Sequence, residues 1–389
     1  MAGTLTVDTI QSDSSYASTL NVASKINFTS GMQIGGQDAT FGGMRNRIIN
    51  GAMVIDQRNV GTAVTVNSSS VSPYITDRFY CNGVTSDGVF TAQQTTTAPA
   101  GFTNSLKFTV TTADASIGAT QRYEFAQVIE GFNFADFNFG SANAKTFTLS
   151  FWIRASVTGT YGGAFVNEAA NRSYVFSYTI SAADTWEYKT ITVAGDTTGT
   201  WTGATNGYGL RVYWSLGEGS TYQTTAGSWT SGFYLAPTGQ TNLIATLNAT
   251  MYITGVQLEK GSVASAFEQL HYGHILALCQ RYYYLHASGD QAPIGAGSLY
   301  YSSSQINTYI HLPVTMRTTP SLVMTIGNYY RFVSAGGGSD TFTTLTIDGT
   351  PGTNLVDLYN NSEVSGTAGQ AAISRTTNAL ARIAFSAEL

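Results

Sequence analysis

Charge is what this sequence has least of: Asp, Glu, Lys and Arg make up 11% of its 389 residues, where an ordinary soluble domain carries about a quarter. Eighteen Lys and Arg stand against 23 Asp and Glu, for a net charge of −5. The basic residues form no cluster, so the electrostatic footprint of a nucleic-acid or anionic-membrane binder is absent. Long apolar runs are missing too, which excludes a membrane-spanning helix. The opening MAGTLTVDTIQ has no basic stretch leading into an apolar one, so no export signal is expected there. Cysteine appears twice, at Cys81 and Cys279, without metal-ligand or redox spacing. A disulfide framework and a zinc site are therefore not expected, and two separate buried thiols are.

What is present favours strands and turns. Forty-one glycines, 23 tyrosines and 20 phenylalanines accompany long Ser, Thr and Asn runs. A chain of this length divides into two or three folded units. Residues 1–43 hold short extended pieces (TLTVDTIQ, STLNVAS, KINF, MQIGG) with too little apolar mass for a core, and read as an assembly arm. Residues 44–267 carry runs such as RFYCN, SLKFTVTT, RYEFAQVI, TFTLSFWIRAS, RSYVFSYTI and YGLRVYWSL, punctuated by Gly, Asn, Asp and Thr. So many regularly spaced strands predict a two-sheet jelly-roll sandwich, because each sheet must bury one face against another. The stretch FEQLHYGHILALCQRYYYL predicts a linking helix over 268–286, with Leu270, His274, Leu278 and Tyr282 on one face and Ile275 and Cys279 beside it. Residues 287–389 form a second β-rich block, with SAGGGSD and DGTPGT as turns, and predict a smaller antiparallel tip domain. The expected fold class is all-β.

Catalytic patterns are absent. There is no Gly-x-Ser-x-Gly elbow, no phosphate-binding loop and no His-Glu-x-x-His. Glycoside hydrolysis needs two carboxylates flanking a sugar. Glu124 and Glu130 border an apolar strand, Glu218 lies in LGEG, and Asp184, Asp196, Asp340 and Asp348 sit in turn contexts, so these acids read as turn-formers and solvated side chains. His286 and His311 stand alone; His271 and His274 lie three apart on the predicted helix without a third ligand, so no metal is expected there. Sugars bind to aromatic faces with short polar groups around them. Trp201, Tyr208, Trp229 and Tyr234 occupy turn-rich stretches and are candidate glycan-binding residues, as are Tyr329, Tyr330 and Arg331 before the glycine-rich loop of the tip. Each of these positions also suits core or interface packing, and Trp152 and Trp186, inside strand patterns, read as core.

Several motifs carry a resemblance. RNRIINGAMVIDQRN at 45–59, ITDRFY at 75–80, FTLSFWIRAS at 147–156, WEYKTITV at 186–193 and YITGVQLEKGSVASAFE at 252–268 resemble a tailed-bacteriophage tail-fibre module. In that module a jelly roll similar to carbohydrate-binding modules ends in GVQLE-G-A-x-FE. GTLTVDTIQSDSS resembles the N-terminal attachment segment of phage fibres, LALCQRYYY the link after the jelly roll, and LPVTMRTTPSLVMT the start of a fibre tip. The resemblance implies a homotrimeric receptor-binding protein without catalytic activity, resident in the virion and made in the host cytoplasm. It implies docking on the tail, baseplate or an adaptor through residues 1–43, and contact with a host cell-surface glycan or protein through the β domains. It also implies no cofactor beyond a structural calcium ion of the kind such jelly rolls often hold, for which Asp56, Asp77 and Gln257 to Glu259 are the oxygen ligands at hand. Two alternatives remain: a virion adaptor or decoration protein that binds only phage proteins, and a depolymerase, for which the long β-helix repeat is missing.

Overall fold

The computed structural model of the chain describes residues 33–34, 37–38 and 44–389, apart from 71, 296, 335 and 350. The expected all-β class is what forms: antiparallel sheets almost throughout, with one α-helix among the described residues. Two sheets face each other between residues 64 and 260. Sheet I runs, in spatial order, Trp229–Ser231, Arg172–Ile180, Gly159–Val166, Tyr208–Glu218, Arg122–Glu130, Phe79–Val84 and Tyr74–Thr76. Sheet II runs Glu187–Val193, Phe147–Ala155, Thr250–Lys260, Ser105–Thr112, Val89–Thr95 and Val64–Val66.

Strand periodicity explains what lies between them. In Phe147–Ala155, the alternate residues Phe147, Leu149, Phe151 and Ile153 are fully buried between the sheets. At the centre, the Phe125 ring lies 4.3 Å from Phe108 and 5.2 Å from Trp214, stacked on both. Burying such large side chains contributes about 2 to 3 kcal/mol each. The predicted attachment arm lies outside the described residues, save for a two-residue ladder of Gln33–Ile34 with Gln37–Asp38.

The motifs of the sandwich clasp its two ends together. Asn46 donates its side-chain amide to Val256 O (3.0 Å) and accepts from Leu258 N (3.0 Å), tying RIINGAM to the GVQLE strand. Within GVQLE, Glu259 is fully buried and accepts from Gln257 Nε2 (2.8 Å) and from Ser265 N and Oγ (2.8 and 2.6 Å).

The helix is shorter than predicted, Tyr272–Gln280, and Tyr283–Ser288 is a strand. Helical spacing continues through RYYYL, but aromatic residues also favour strands. Pairing of Tyr284 with Phe385 in the last strand, Arg382–Ser386, decides the conformation. His271 caps the helix by accepting from Gly273 N (3.3 Å). Of the face read for it, His274 is exposed and Tyr282 is buried; Tyr282 and the adjacent Cys279 pack against Ile49 and Ile55. Cys81 and Cys279 are free and buried.

Beyond the helix, Tyr283–Ser288, Arg382–Ser386 and Ser321–Met324 make a small sheet. Sheet III runs Ser339–Phe342, Tyr330–Ser334, Ala371–Thr376, Ser298–Ser302, Gln305–His311, Leu355–Asn360 and Thr346–Ile347. Its inner face packs Tyr330, Phe332, Phe342, Ile306 and Leu358 into a second core. A charged network joins this region to the sandwich. Arg78, 1% exposed, pairs with Glu388 and lies over the Tyr282 ring (3.6 Å), and Arg58 also reaches Glu388 (2.7 Å). Arg281 and Tyr282 both bond Glu130 (2.5 Å each).

Candidate functional site

Strand parity builds the site. Trp152 has the opposite parity to Phe151 and Ile153, so its ring leaves the core and stands on the outer face of sheet II. Tyr188 is its direct partner in the ladder and is 44% exposed. The two rings lie 5.3 Å apart with 45° between their planes. Phe102 and Phe267 form a second, edge-on pair (5.1 Å). Between the pairs lies an open groove of about 470 Å³, to which Ser265 and Gln269 add polar groups. Its floor is Gly255, at φ +62, where an added Cβ would come within 2.6 Å of the Phe102 ring and 3.1 Å of Trp152. Only glycine leaves the groove open at that position. Along the same face, Trp186 packs edge-on against Tyr252 (6.2 Å), and the Arg154 guanidinium lies 5.1 Å from the Tyr252 ring.

Trp152 and Trp186 thus stand half-buried on an outer face and not in the core expected of them. Trp152 lies within a strand as read, whereas Trp186 precedes the strand Glu187–Val193, and neither side chain takes the core side. The usable signal was the period of two in FTLSFWIRA, which sets Trp152 among Thr148, Ser150 and Arg154.

The sequence-derived candidates fall into three places. Trp201 and Trp229 cross edge-on at 5.4 Å, both against Phe139 (4.9 and 5.6 Å). Their indole N–H groups are spent on Asp196 Oδ2 (3.1 Å) and Ala194 O (2.8 Å). Trp201 also walls a recess of about 230 Å³ with Phe134 and Asn138. Tyr208 and Tyr234 pack, partly buried, on the outer face of sheet I with Val128, Val175 and Leu235. Tyr330 is fully buried, stacked on Phe342 (5.5 Å), and donates its hydroxyl to Thr325 O (2.6 Å); Tyr329 is half-buried beside it. Arg331 lies on the outer side of sheet III, opposite Arg375.

The acids read as solvated need correction. Glu124, Glu130, Glu218 and Asp196 are all at most 2% exposed. Asp196 is held below the ordinary carboxylate range by the Arg172 guanidinium and by bonds from Thr198 and Trp201, which outweigh its burial. Glu124 and Glu218 are buried neighbours on the outer side of sheet I, each acid interacting with the other and with Arg122. Burial pushes Glu124 up to about 7, against Arg122 and a bond from Asn82. Burial and the neighbouring Glu124 push Glu218 up as well. Two buried acids that interact in this way titrate as a pair.

The oxygens named for calcium are occupied. Asp77 accepts from Gln57 N (2.7 Å) and Nε2 (2.6 Å), and Asp56 from the backbone of Arg58, Asn59 and Gly61. Among the described residues no three His, Cys, Asp or Glu converge as metal ligands.

No protein-family model matches the sequence, and no curated protein matches it significantly. Solved structures share a distant likeness over about half of the chain. A putative sugar binding protein from Bacteroides thetaiotaomicron is 12% identical over 56% of this chain and all of its own, with a TM-score of 0.33. The family 11 carbohydrate-binding module of a Clostridium thermocellum cellulase is 11% identical over 52% of this chain and all of its own, at 0.26. The enzymatically active domain of tailspike protein 4 from bacteriophage CBA120 is 12% identical over 55% of this chain, at 0.28. This chain spans 21% of that tailspike's length.

Proposed function

We propose that this chain is a non-catalytic, glycan-binding appendage of a tailed-bacteriophage virion. In this reading it is a homotrimeric tail fibre attached through residues 1–43, and the outer face of sheet II meets the host surface. The observation that carries it is the open groove with Trp152 and Tyr188 on one side and Phe102 and Phe267 on the other. Aromatic faces spaced this way suit the C–H surfaces of consecutive sugar rings, and serine and amide groups at the rim suit their hydroxyls. No carboxylate lines the groove, so the two acids that glycoside hydrolysis requires are not at hand there. The binding is passive, and three linked copies raise effective concentration at a repetitive surface.

Titration calorimetry of the full chain against host-surface polysaccharide tests this. Trp152→Ala is expected to weaken binding about tenfold, equivalent to about 1.4 kcal/mol, with folding unchanged because the side chain is partly outside the core. Equal affinity in wild type and variant would remove the groove from the proposal, and shortening of the glycan would replace it with an enzyme.

A further inference from the structure

The outer face of sheet III is apolar where a solvated sheet face would be polar. Period-two alternation turns Tyr300, Ile306, Ile310 and Phe332 inward, each at most 2% exposed. It turns Leu299, Tyr301, Tyr309 and Ile373 outward, at 47, 73, 54 and 55% exposure. The four lie on three adjacent strands, Ala371–Thr376, Ser298–Ser302 and Gln305–His311. A contiguous apolar patch on a folded surface marks an interaction site.

The charges on this face identify the partner. Towards one edge, Arg331 and Arg375 are direct ladder partners on neighbouring strands. Towards the other edge, Asp357, the ladder partner of Tyr309, and Asp348 both reach the Asn307 amide (3.0 and 3.5 Å). Like charges placed opposite each other in a sheet are destabilising. Among the described residues Arg375 reaches the neutral Gln291 oxygen (3.3 Å), and neither arginine forms an ion pair with a carboxylate. Each pair of like charges is therefore missing what the opposite edge of the same face carries.

We propose that the outer face of sheet III is the surface by which copies of this chain pack together, the Arg331 and Arg375 edge of one against the Asp348 and Asp357 edge of the next, with the apolar belt closed between them. The occupant is a second copy because the face is complementary to itself, as closed homo-oligomers require. This deepens the homotrimer reading by naming its contact and is independent of the sugar groove.

The mass of the full chain in solution, measured by light scattering from about 0.1 to 50 μM (concentrations bracketing typical subunit affinities), tests it. The wild type is expected to be oligomeric. Ile373→Asp and Arg375→Glu, both outward-facing, are each expected to raise the concentration of half-assembly at least tenfold, with circular dichroism unchanged. Adding Asp357→Lys to Arg375→Glu is expected to restore assembly by reversing the pair. A wild type that is monomeric throughout overturns the proposal, as does failure of the double variant to reassemble. An oligomer whose mass neither single variant changes overturns it too, while leaving a trimer built through another segment intact. Variants that stay assembled but no longer adsorb to host cells would reassign the face to the receptor and overturn it as well.

Discussion

Single residues in this chain act chiefly through burial, and the Glu124–Glu218 pair shows the consequence. Glu124 is fully buried, faces Arg122, Asn82 and Glu218, and is raised from an ordinary value near 4.5 to about 7. Because the folded-state value lies above the unfolded one, the folded chain binds more protons between those two values. The stability linked to this group is complete below about 4.5 and lost as the pH rises through 7. Asp77, raised by burial to about 7, titrates in the same direction. The melting temperature should therefore fall between pH 5 and 8, and Glu124→Gln should flatten that slope without abolishing it. Scanning calorimetry across the range checks this, and a melting temperature that rises over that interval would contradict the assignment.

At the scale of elements, the sandwich depends on contacts between segments far apart in sequence. Gly51 shows one of these: a Cβ there would stand 2.0 Å from Val256 O, on the strand that carries GVQLE. Asn50 beside it, at φ +62, accepts from Ile55 N (3.0 Å) and donates to Ile55 O (2.8 Å). The atom that a methyl group at Gly51 would strike is backbone and cannot swing aside, and the Asn46 amide stands 3.3 Å away. Gly51→Ala should cost about 2 kcal/mol or more, as overpacking of a tight site does. Urea unfolding would register it as a lower midpoint with the same slope, whereas an unchanged midpoint would mean that the two segments do not approach so closely.

For the whole molecule, the decisive feature is the junction around Arg78. Its guanidinium is buried, pairs with Glu388, donates to Val128 O (2.5 Å) and covers Tyr282. Arg58 shares Glu388, and Arg382 donates to Gln57 O (2.6 Å). Removing one member of a buried pair leaves a charge without its partner, typically at about 3 to 5 kcal/mol. Arg78→Ala should therefore loosen the sandwich from the sheets beyond the helix. Calorimetry should resolve two transitions where the wild type shows one, and a single transition at the wild-type temperature would show that the network couples nothing.

The sequence by itself determined the class of fold, because period-two alternation, β-branched and aromatic residues and frequent turn formers are local properties that any strand must satisfy. It also predicted a β-sandwich and one helix in the middle of the chain, and it led to glycan-binding aromatics as the chemistry to look for. Tertiary structure decided which aromatics line an open groove. Trp152 and Phe151 are equally plausible as core from composition, and only the side of the strand that faces sheet I separates them. It likewise turned the residues from Tyr283 onward from helix to strand by giving Tyr284 a partner in Phe385, a hundred residues away. Glu124 and Glu218 became buried neighbours because adjacent strands, distant in sequence, bring them together. Side-chain direction follows from local geometry, but what waits on that side is set by long-range pairing.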